Sequence, residues 1–558
     1  MSQSLFDHNA NPQLPHEAML EWAEKKPNDI FLRQIKERNF VDYTFSEVVD
    51  KALRLVTSLQ QLGIQPKDRV ALISKNCAEW FITDLALMLG NFISVPIFPT
   101  AGLETIEHCL THSDSKALIV GKLDNNEATT QAIQNLPQLS TIAFDYDSAA
   151  SCQYQFEQLI QNNPPSEFRP DHNDNTLMSI VYTSGTSGLP KGAMLTFGGF
   201  SRSSKHLVNH IGMKPDDRLF SYLPLAHITE RVYILGSAFF GGIQTAFPES
   251  LDTFIDDVKM HRPTLFISVP RLWTVFQQRI QDKLPQKKLN ILLKIPFVNS
   301  LIKRKLADGL GLDKARVLGC GSAPVSAGLL KWYESIGLNI TEAWGMTETF
   351  AYSTLNHPYR SDKVGTVGSA GPGVELKIAA DEEILVRGDG LFAGYYKNDK
   401  ATAETFNQEG WLHTGDIGYI DSEGFLTIQG RKKDTFKTAK GKFVAPVPIE
   451  KRIFDLSNLE MMCLIGSGLP GPILLAVPHS YTNFDQARYE RTALKNLDTI
   501  NSGLESHEKL KGILMVKEAW SIENGILTPT LKIKRHILEK KYHDFASEWP
   551  KDKKIIWE

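Results

Sequence analysis

At 558 residues the chain is too long for one hydrophobic core, so two or more domains are expected. Its 61 Lys and Arg against 64 Asp and Glu leave a net charge of -3, which excludes a general electrostatic attraction to nucleic acid and makes any anion binding local. The five cysteines (Cys77, Cys109, Cys152, Cys320, Cys463) are scattered without CxxC or metal-ligand spacing, which suits a reducing compartment.

The amino terminus lacks a basic segment followed by an apolar one, so no secretory signal is expected. Ser46 to Leu62 has apolar positions at Val49, Leu53, Val56 and Leu59 and a stop at Gly63, the pattern of an amphipathic helix. Arg69 to Ser74 reads as a strand, Ala78 to Leu89 as a helix ended by Gly90, Ser94 to Phe98 as a strand, and Leu103 to His112 as a helix before KALIV. The stretch Phe81 to Phe98 is the best candidate for a membrane span. Asp84, Asn91 and Pro96 interrupt it, and it reads better as a buried helix followed by a strand. Strands alternating with helices predict an α/β fold with parallel sheet. Residues 121 to 175 are polar and carry no functional signal.

Tyr182 to Thr196 reads YTSGTSGLPKGAMLT. Thr183, Ser184, Gly185, Thr186, Ser187 and Gly188 offer hydroxyls and unobstructed N–H groups to phosphate oxygens, and Lys191 adds a point charge. Pro190 and Gly192 flank that lysine, which rules out the Walker pattern. From this loop the chain is expected to pass towards a helix. RLFSYLPL is then a predicted strand, Ile228 to Gly241 a helix, DTFIDDVKMHRP a helix and TLFISV a strand. Trp273 to Gly311 is a helical, basic insertion. Within it, residues 286 to 305 mix Ile, Leu, Phe and Val with six basic residues, a pattern that suits either an anionic membrane surface or a solvated basic face.

GCGSAP (319–324) offers bare backbone at a strand end where a flat ring can approach, and TEAWGMTET (341–349) brings an aromatic, a hydroxyl and a carboxylate within five residues. WLHTGDIGYIDSEGFLTIQG has turn residues at hairpin spacing, predicting a small antiparallel unit ending near Gly430. The run RKKDTFKTAKGKF would repel itself in a core and reads as an exposed junction before a second domain of about 125 residues, an ordinary domain size. Taken alone, His227 in YLPLAHITER reads as a core histidine and Lys532 in LTPTLKIKR as a solvated lysine.

Taken together and in order, these motifs resemble the adenylate-forming superfamily, and GRKKD, VAPVPIE and LTPTLKIKR lean towards its long-chain fatty acyl-CoA synthetases. The resemblance runs from about residue 30 to 540. It implies an α/β fold: a large N-terminal domain (1–431) of parallel and mixed sheets with a small barrel-like part, and a smaller mobile α+β C-terminal domain (432–558). It implies ATP-dependent activation of a fatty acid through acyl-AMP and transfer to CoA, with Mg²⁺ held by Thr186 and Glu348. Lys532, His227 and Glu348 take the catalytic positions. Nucleotide and CoA contacts fall to the phosphate loop (Thr183 to Gly188, Lys191), to Gly321, Ser322, Ala323 and Pro324, and to Glu342, Ala343, Trp344, Gly345, Met346 and Thr347. Asp416 and Arg431 take the ribose, Ile428 lies on the same hairpin, Lys433 is the hinge, and Lys440 and Gly441 stand in the loop facing the thiol. Two positions depart from the family pattern. Trp344 stands where Tyr is commoner, which keeps a stacking face and loses a hydroxyl. Lys440 and Phe443 stand where long-chain members carry Gly and Asn, which makes the thiol acceptor the weaker half of the reading. The acyl pocket is expected around Leu207, Ile228, Tyr233 and Phe239. The expected place is the cytoplasm, with peripheral contact on the inner face of a membrane as the reading of residues 286 to 305. The rival readings are a fatty acyl-AMP ligase serving a carrier-protein thiol, and a nucleotide-binding protein that has lost catalysis.

Overall fold

The computed structural model describes residues 12–146, 152–183, 189–456, 459–478, 486–522, 524–528, 532–550 and 552–558. A first hairpin, β1 (Ile30–Lys36) and β2 (Asn39–Thr44), ends where Thr44 caps the helix Phe45–Gln61. The Thr44 hydroxyl accepts from the Glu47 N–H at 3.3 Å and the Glu47 carboxylate accepts from the Thr44 N–H at 2.7 Å, a reciprocal box that fixes the helix start.

β3 (Arg69–Ile73), β4 (Ile93–Ile97), β5 (Ser115–Val120), β6 (Ser140–Ala143), β7 (Tyr154–Gln155), β8 (Leu177–Thr183) and β9 (Lys191–Thr196) form one sheet in the order β7-β6-β5-β3-β4-β8-β9. Between β3 and β4, α1 (Ala78–Leu89) buries every residue except Glu79. It is apolar on all sides because protein covers it on all sides. Among the described residues no helix is long and apolar enough to cross a membrane. The weakly patterned 121–175 region supplies β6 and the edge strand β7.

The segment after the phosphate loop departs from expectation, because it does not enter a helix directly. β9 pairs antiparallel with β8, Thr183 opposite Lys191 and Tyr182 opposite Gly192, so the loop closes a hairpin. The helix α2 (Phe197–Ile211) begins only after β9, capped by the Thr196 hydroxyl. The alternation in KGAMLT, with Gly192, Ala193 and Leu195 buried, is a strand period that the glycine and proline signals mask.

β10 (Arg218–Phe220), β11 (Gln244–Phe247), β12 (Leu265–Ser268), β13 (Val317–Cys320), β14 (Ile340–Trp344), β15 (Thr354–Leu355) and β16 (Ser369–Ala370) join β1 and β2 in a second sheet, ordered β16-β15-β14-β13-β12-β10-β11-β1-β2. The strand expected over RLFSYLPL stops at Phe220, because a turn closed from His227 N–H to Pro224 C=O takes the chain out of the sheet. The expected helix over Ile228–Gly241 is present but widens into a π-helical stretch over Arg231–Gly236. Arg231 within it is fully buried, and its guanidinium donates to both carboxylate oxygens of Asp84 on α1, at 2.9 and 3.1 Å. Breaking a buried pair of this kind typically costs about 3–5 kcal/mol, so it pins this helix to α1.

The basic insertion is helical as expected: α3 (Pro270–Lys283), α4 (Gln286–Lys294) and α5 (Val298–Gly309), followed after β13 by α6 (Ala327–Ser335). β17 (Val374–Ile378), β18 (Glu383–Gly388), β19 (Leu412–Ile420) and β20 (Leu426–Arg431) make the small antiparallel, barrel-like sheet. Beyond residue 431, the hairpin β21 (Phe436–Lys437) and β22 (Phe443–Val444) and the helix α7 (Pro446–Leu456) lead to a last sheet of β23 (Leu459–Ile465), β24 (Ile473–Pro478), β25 (Gly512–Met515) and β26 (Ile555–Trp557). Alternate residues of these strands feed opposite cores. Leu464, Leu474 and Met515 lie in one, and Cys463, Leu475 and Leu514 in the other, as the two-residue strand period requires. The helix α8 (Arg535–Ser547) covers the second core.

Candidate active site

Three strand ends meet the segment that bears Lys532. β13 and β14 run parallel, Leu318 opposite Ile340, and release GCGSAP and WGMTE at their carboxyl ends, where open α/β sheets place their ligands. β19 and β20 set Asp416 directly opposite Arg431, and a register shift between Ile417 and Gly418 disturbs the ladder beside them.

Asp416 is 5% exposed and held from two sides. Arg431 Nε lies 2.9 Å from Oδ1, and the Trp344 indole N–H donates to Oδ2 at 2.9 Å. Tryptophan therefore does more here than preserve a stacking face: its N–H reaches a carboxylate from where the ring sits. Burial pushes the Asp416 carboxyl above the usual range, against the opposing pull of Arg431, the indole and Lys532. Gly345 follows because any Cβ there would meet the Ala351 carbonyl carbon at 2.4 Å.

Glu348 is 6% exposed and accepts from the Tyr395 hydroxyl at 2.5 Å. Lys191 Nζ stands 5.1 Å from the centre of the same Tyr395 ring. Tyr395 thus links the lysine of the phosphate loop to the carboxylate of WGMTE. Sequence reasoning missed it, since one tyrosine in AGYYKN carries no chemical signature; only pairing of its backbone with Ala193 on β9 brings it here.

His227 caps its helix, accepting at Nδ1 from the Thr229 N–H at 3.2 Å, so the neutral ring carries its proton on Nε2. Burial, with help from Lys532, lowers its pKa to about 3. At neutral pH it is a polar wall and a hydrogen-bond donor, not a cation. The neighbouring Thr229 hydroxyl lies 3.2 Å from that of Ser322, which adopts a left-handed φ of +67° at the end of β13.

Lys532 enters from the far end of the sequence. The Lys532 N–H donates to the Thr528 hydroxyl at 3.0 Å. The enclosing protein and Arg431 lower its pKa, while Asp416 and Glu348 oppose that. The side chain still meets solvent, so water screens part of this effect. Lys532, Arg431, Asp416, Glu348 and His227 thus form one electrostatic cluster. Arg271 on α3 lies 3.2 Å from Glu460 on β23, an ion pair that joins the segment bearing Lys532 to the larger part.

A narrow apolar cavity leads down from this cluster, about 580 Å³ counting the open space at its mouth. Its lining includes Gly321, Ser322, Trp344 and Gly345 at the carboxyl ends of β13 and β14, and Leu265 and Val317 at the opposite ends of β12 and β13, with Tyr233 and Met213 among the rest. Val317 lies four strand residues below Gly321, roughly 13 Å. Of the four residues expected to shape the pocket, Tyr233 does. Leu207, Ile228 and Phe239 are instead packed in the core behind it. They share the apolar chemistry of lining residues, and only the packing tells the two apart. Arg316 closes the structure beneath, bridging Asp217 at 2.5 Å and the Gly212 carbonyl at 2.8 Å.

The Glu342 carboxyl is buried against the Gly365 N–H at 2.8 Å, and burial raises its pKa to about 7. Lys433, Lys440 and Gly441 lie on exposed turns of the junction. Ser184, Gly185, Thr186, Ser187 and Gly188 lie outside the described residues.

A cleft combining a lysine, two carboxylates, an aromatic and an apolar cavity, at the carboxyl ends of parallel strands and completed from a second sheet unit, defines an adenylate-forming type of enzyme. Comparison with known proteins agrees. Residues 19–396 match the family described as AMP-binding enzyme. Long-chain-fatty-acid–CoA ligase 5 of Rattus norvegicus is 32% identical over 89% of this chain and 82% of its own length. Long-chain-fatty-acid–CoA ligase FadD15 of Mycobacterium bovis is 27% identical over 94% of this chain and 95% of its own. Among solved structures, the anthranilate CoA ligase AuaEII in complex with anthranoyl-AMP superposes with a TM-score of 0.79 over 97% of this chain and 99% of its own, at 20% identity. The chain belongs to the AMP-binding enzyme family, as an acid–thiol ligase.

Proposed function

We propose that this enzyme activates a long-chain fatty acid with ATP and transfers the acyl group to CoA. The observation that carries the reading is Lys532 within electrostatic range of Asp416, Glu348 and Arg431, with Trp344 joining Asp416 to the lining of the apolar cavity. A carboxylate oxygen attacks the α-phosphorus, the bond to the bridging oxygen breaks, and pyrophosphate leaves. The CoA sulfur then attacks the acyl carbon, the bond to the phosphate oxygen breaks, AMP leaves, and the thiol proton passes to water.

Asp416 accepts from the ribose hydroxyls, Trp344 covers the adenine, and the phosphate loop with Lys191 holds the triphosphate. Glu348 suits Mg²⁺, being a hard oxygen ligand oriented by the Tyr395 hydroxyl on Oε1, and Thr186 is its proposed companion. Bound Mg²⁺ supplies charge neutralisation on the triphosphate. Residues 432–558 act as a mobile domain turning about Lys433, which in a second orientation brings Lys440 and Gly441 to CoA.

Release of AMP and pyrophosphate, measured across fatty acids of graded length with and without CoA, tests this reading. Turnover that requires CoA and peaks with long chains supports it. A single burst of pyrophosphate that CoA does not relieve would make the enzyme a fatty acyl-AMP ligase, and no acyl-dependent use of ATP would leave a nucleotide-binding protein.

Two further results are expected. Tyr395→Phe frees Glu348 of its partner, and the Mg²⁺ concentration for half-maximal rate should rise roughly ten-fold or more, the usual scale for removing a ligand's support; an unchanged Mg²⁺ dependence would remove Tyr395 from this role. Val317→Phe fills the far end of the cavity, and activity on the longest accepted acid should fall about ten-fold or more, leaving short acids little affected. Equal loss at every length would mean that the acyl chain takes another path.

A further inference from the structure

The hairpin of α4 and α5 leaves four large apolar side chains in solvent. Ile291 is 62% exposed, Ile295 42%, Phe297 93% and Leu301 53%. They gather around its turn, Ile291 and Ile295 one helical turn apart on one side, Phe297 and Leu301 on the other. Phe297 holds a left-handed φ of +64°, a conformation that a bulky residue rarely adopts. The hairpin is anchored from behind: Leu289 is fully buried, and the Trp332 indole on α6 donates to Gln286 at 2.8 Å. Its outward placement is therefore built into the fold.

Charge selects the occupant. Residues 286–305 hold Lys287, Lys288, Lys294, Lys303, Arg304 and Lys305 and no acidic residue, whereas outside them 55 basic residues face 64 acidic ones. The ridge is convex with its aromatic at the apex, so a protein partner would need a matching groove. A bilayer receives such a side chain without one, and its anionic headgroups answer the surrounding cations.

We propose that this hairpin docks the enzyme on an anionic lipid surface, inserting Phe297 with Ile291, Ile295 and Leu301 among the headgroups. The docking rests on the proposed reaction only for its purpose, which is to hold the enzyme where fatty acids dissolve.

Flotation of the full chain with vesicles of phosphatidylcholine alone, or mixed with phosphatidylglycerol, tests it without turnover. The wild type should float with the anionic vesicles, less so as salt rises, and stay behind with the neutral ones. Neutralising Lys294, Arg304 and Lys305 together with glutamine should weaken partitioning roughly 100-fold, about five-fold per charge. Phe297→Ser should cost roughly ten-fold. All four positions are exposed, so melting temperature should be unchanged. Equal flotation with both vesicles, none with either, or variants that float as the wild type does would overturn the proposal; in the last two cases an acidic protein becomes the partner to seek. A protein that floats but activates no acid would overturn the reaction and leave the docking standing.

Discussion

Lys532→Ala is expected to slow acyl-AMP formation roughly 100- to 1,000-fold, the usual cost of removing one preorganised donor from a developing negative charge. Conversion of supplied acyl-AMP to thioester should continue. The lysine sits on a turn beyond residue 431 yet within electrostatic range of Asp416, Glu348 and Arg431, so this arrangement serves the first half-reaction. On the proposed reading the second uses the junction loop, where Lys440 and Gly441 lie exposed. Pyrophosphate exchange reads the first step and thioester formation from acyl-AMP the second; equal loss of both would sink this division of labour. There is also a pH signature. Enclosure and Arg431 lower the Lys532 pKa, so its ammonium is lost at a lower pH than that of a free lysine. The alkaline limb of adenylation should come correspondingly early and vanish in the alanine variant.

The legible parts of this molecule were those with a short-range cause. α1 declares itself by being apolar on every side between Cys77 and Gly90, and the β19–β20 hairpin by its turn glycines. Glu348 stood out because TEAWGMTET is compact in sequence, whereas Asp416, Arg431 and Lys532 were singled out only by the family resemblance. The features that escaped depended on partners distant along the chain. Tyr395 matters because β9, some two hundred residues earlier, pairs with it. Leu207, Ile228 and Phe239, expected near the pocket, are packed in the core and do not line this cavity, whereas Val317 and Met213 do. The hairpin of β8 and β9 was hidden by glycine and proline, which signal a turn but not whether a strand or a helix comes after it. His227 shows the same limit for charge: its position was legible, but its neutrality comes from burial, which no motif records.

Asp416→Asn should raise the KM for ATP by roughly 100-fold or more, since hydrogen bonds to a charged group are worth about 1.5–3 kcal/mol each and the proposed reading gives Asp416 two ribose hydroxyls. The amide keeps the size and an acceptor for the Trp344 N–H, and Arg431 is half-exposed, so water can replace the lost charge and the fold should survive. Trp344→Phe is the finer probe. It keeps an aromatic face but removes a donor that holds Asp416 ionised, so the KM should rise less, roughly ten-fold, the low end for one such bond. The direction with pH separates this from lost stacking. The carboxylate must be ionised to accept from both hydroxyls, and burial already sets its pKa above the ordinary value. ATP affinity should therefore weaken on acidification sooner than an exposed aspartate would allow. Without the indole N–H the Asp416 pKa rises further, so the acid limb should move to higher pH in Trp344→Phe. A weaker KM with an unmoved limb would assign tryptophan to stacking alone. A moved limb would mean that the residue standing in place of the commoner tyrosine has taken on the tuning of the ribose carboxylate.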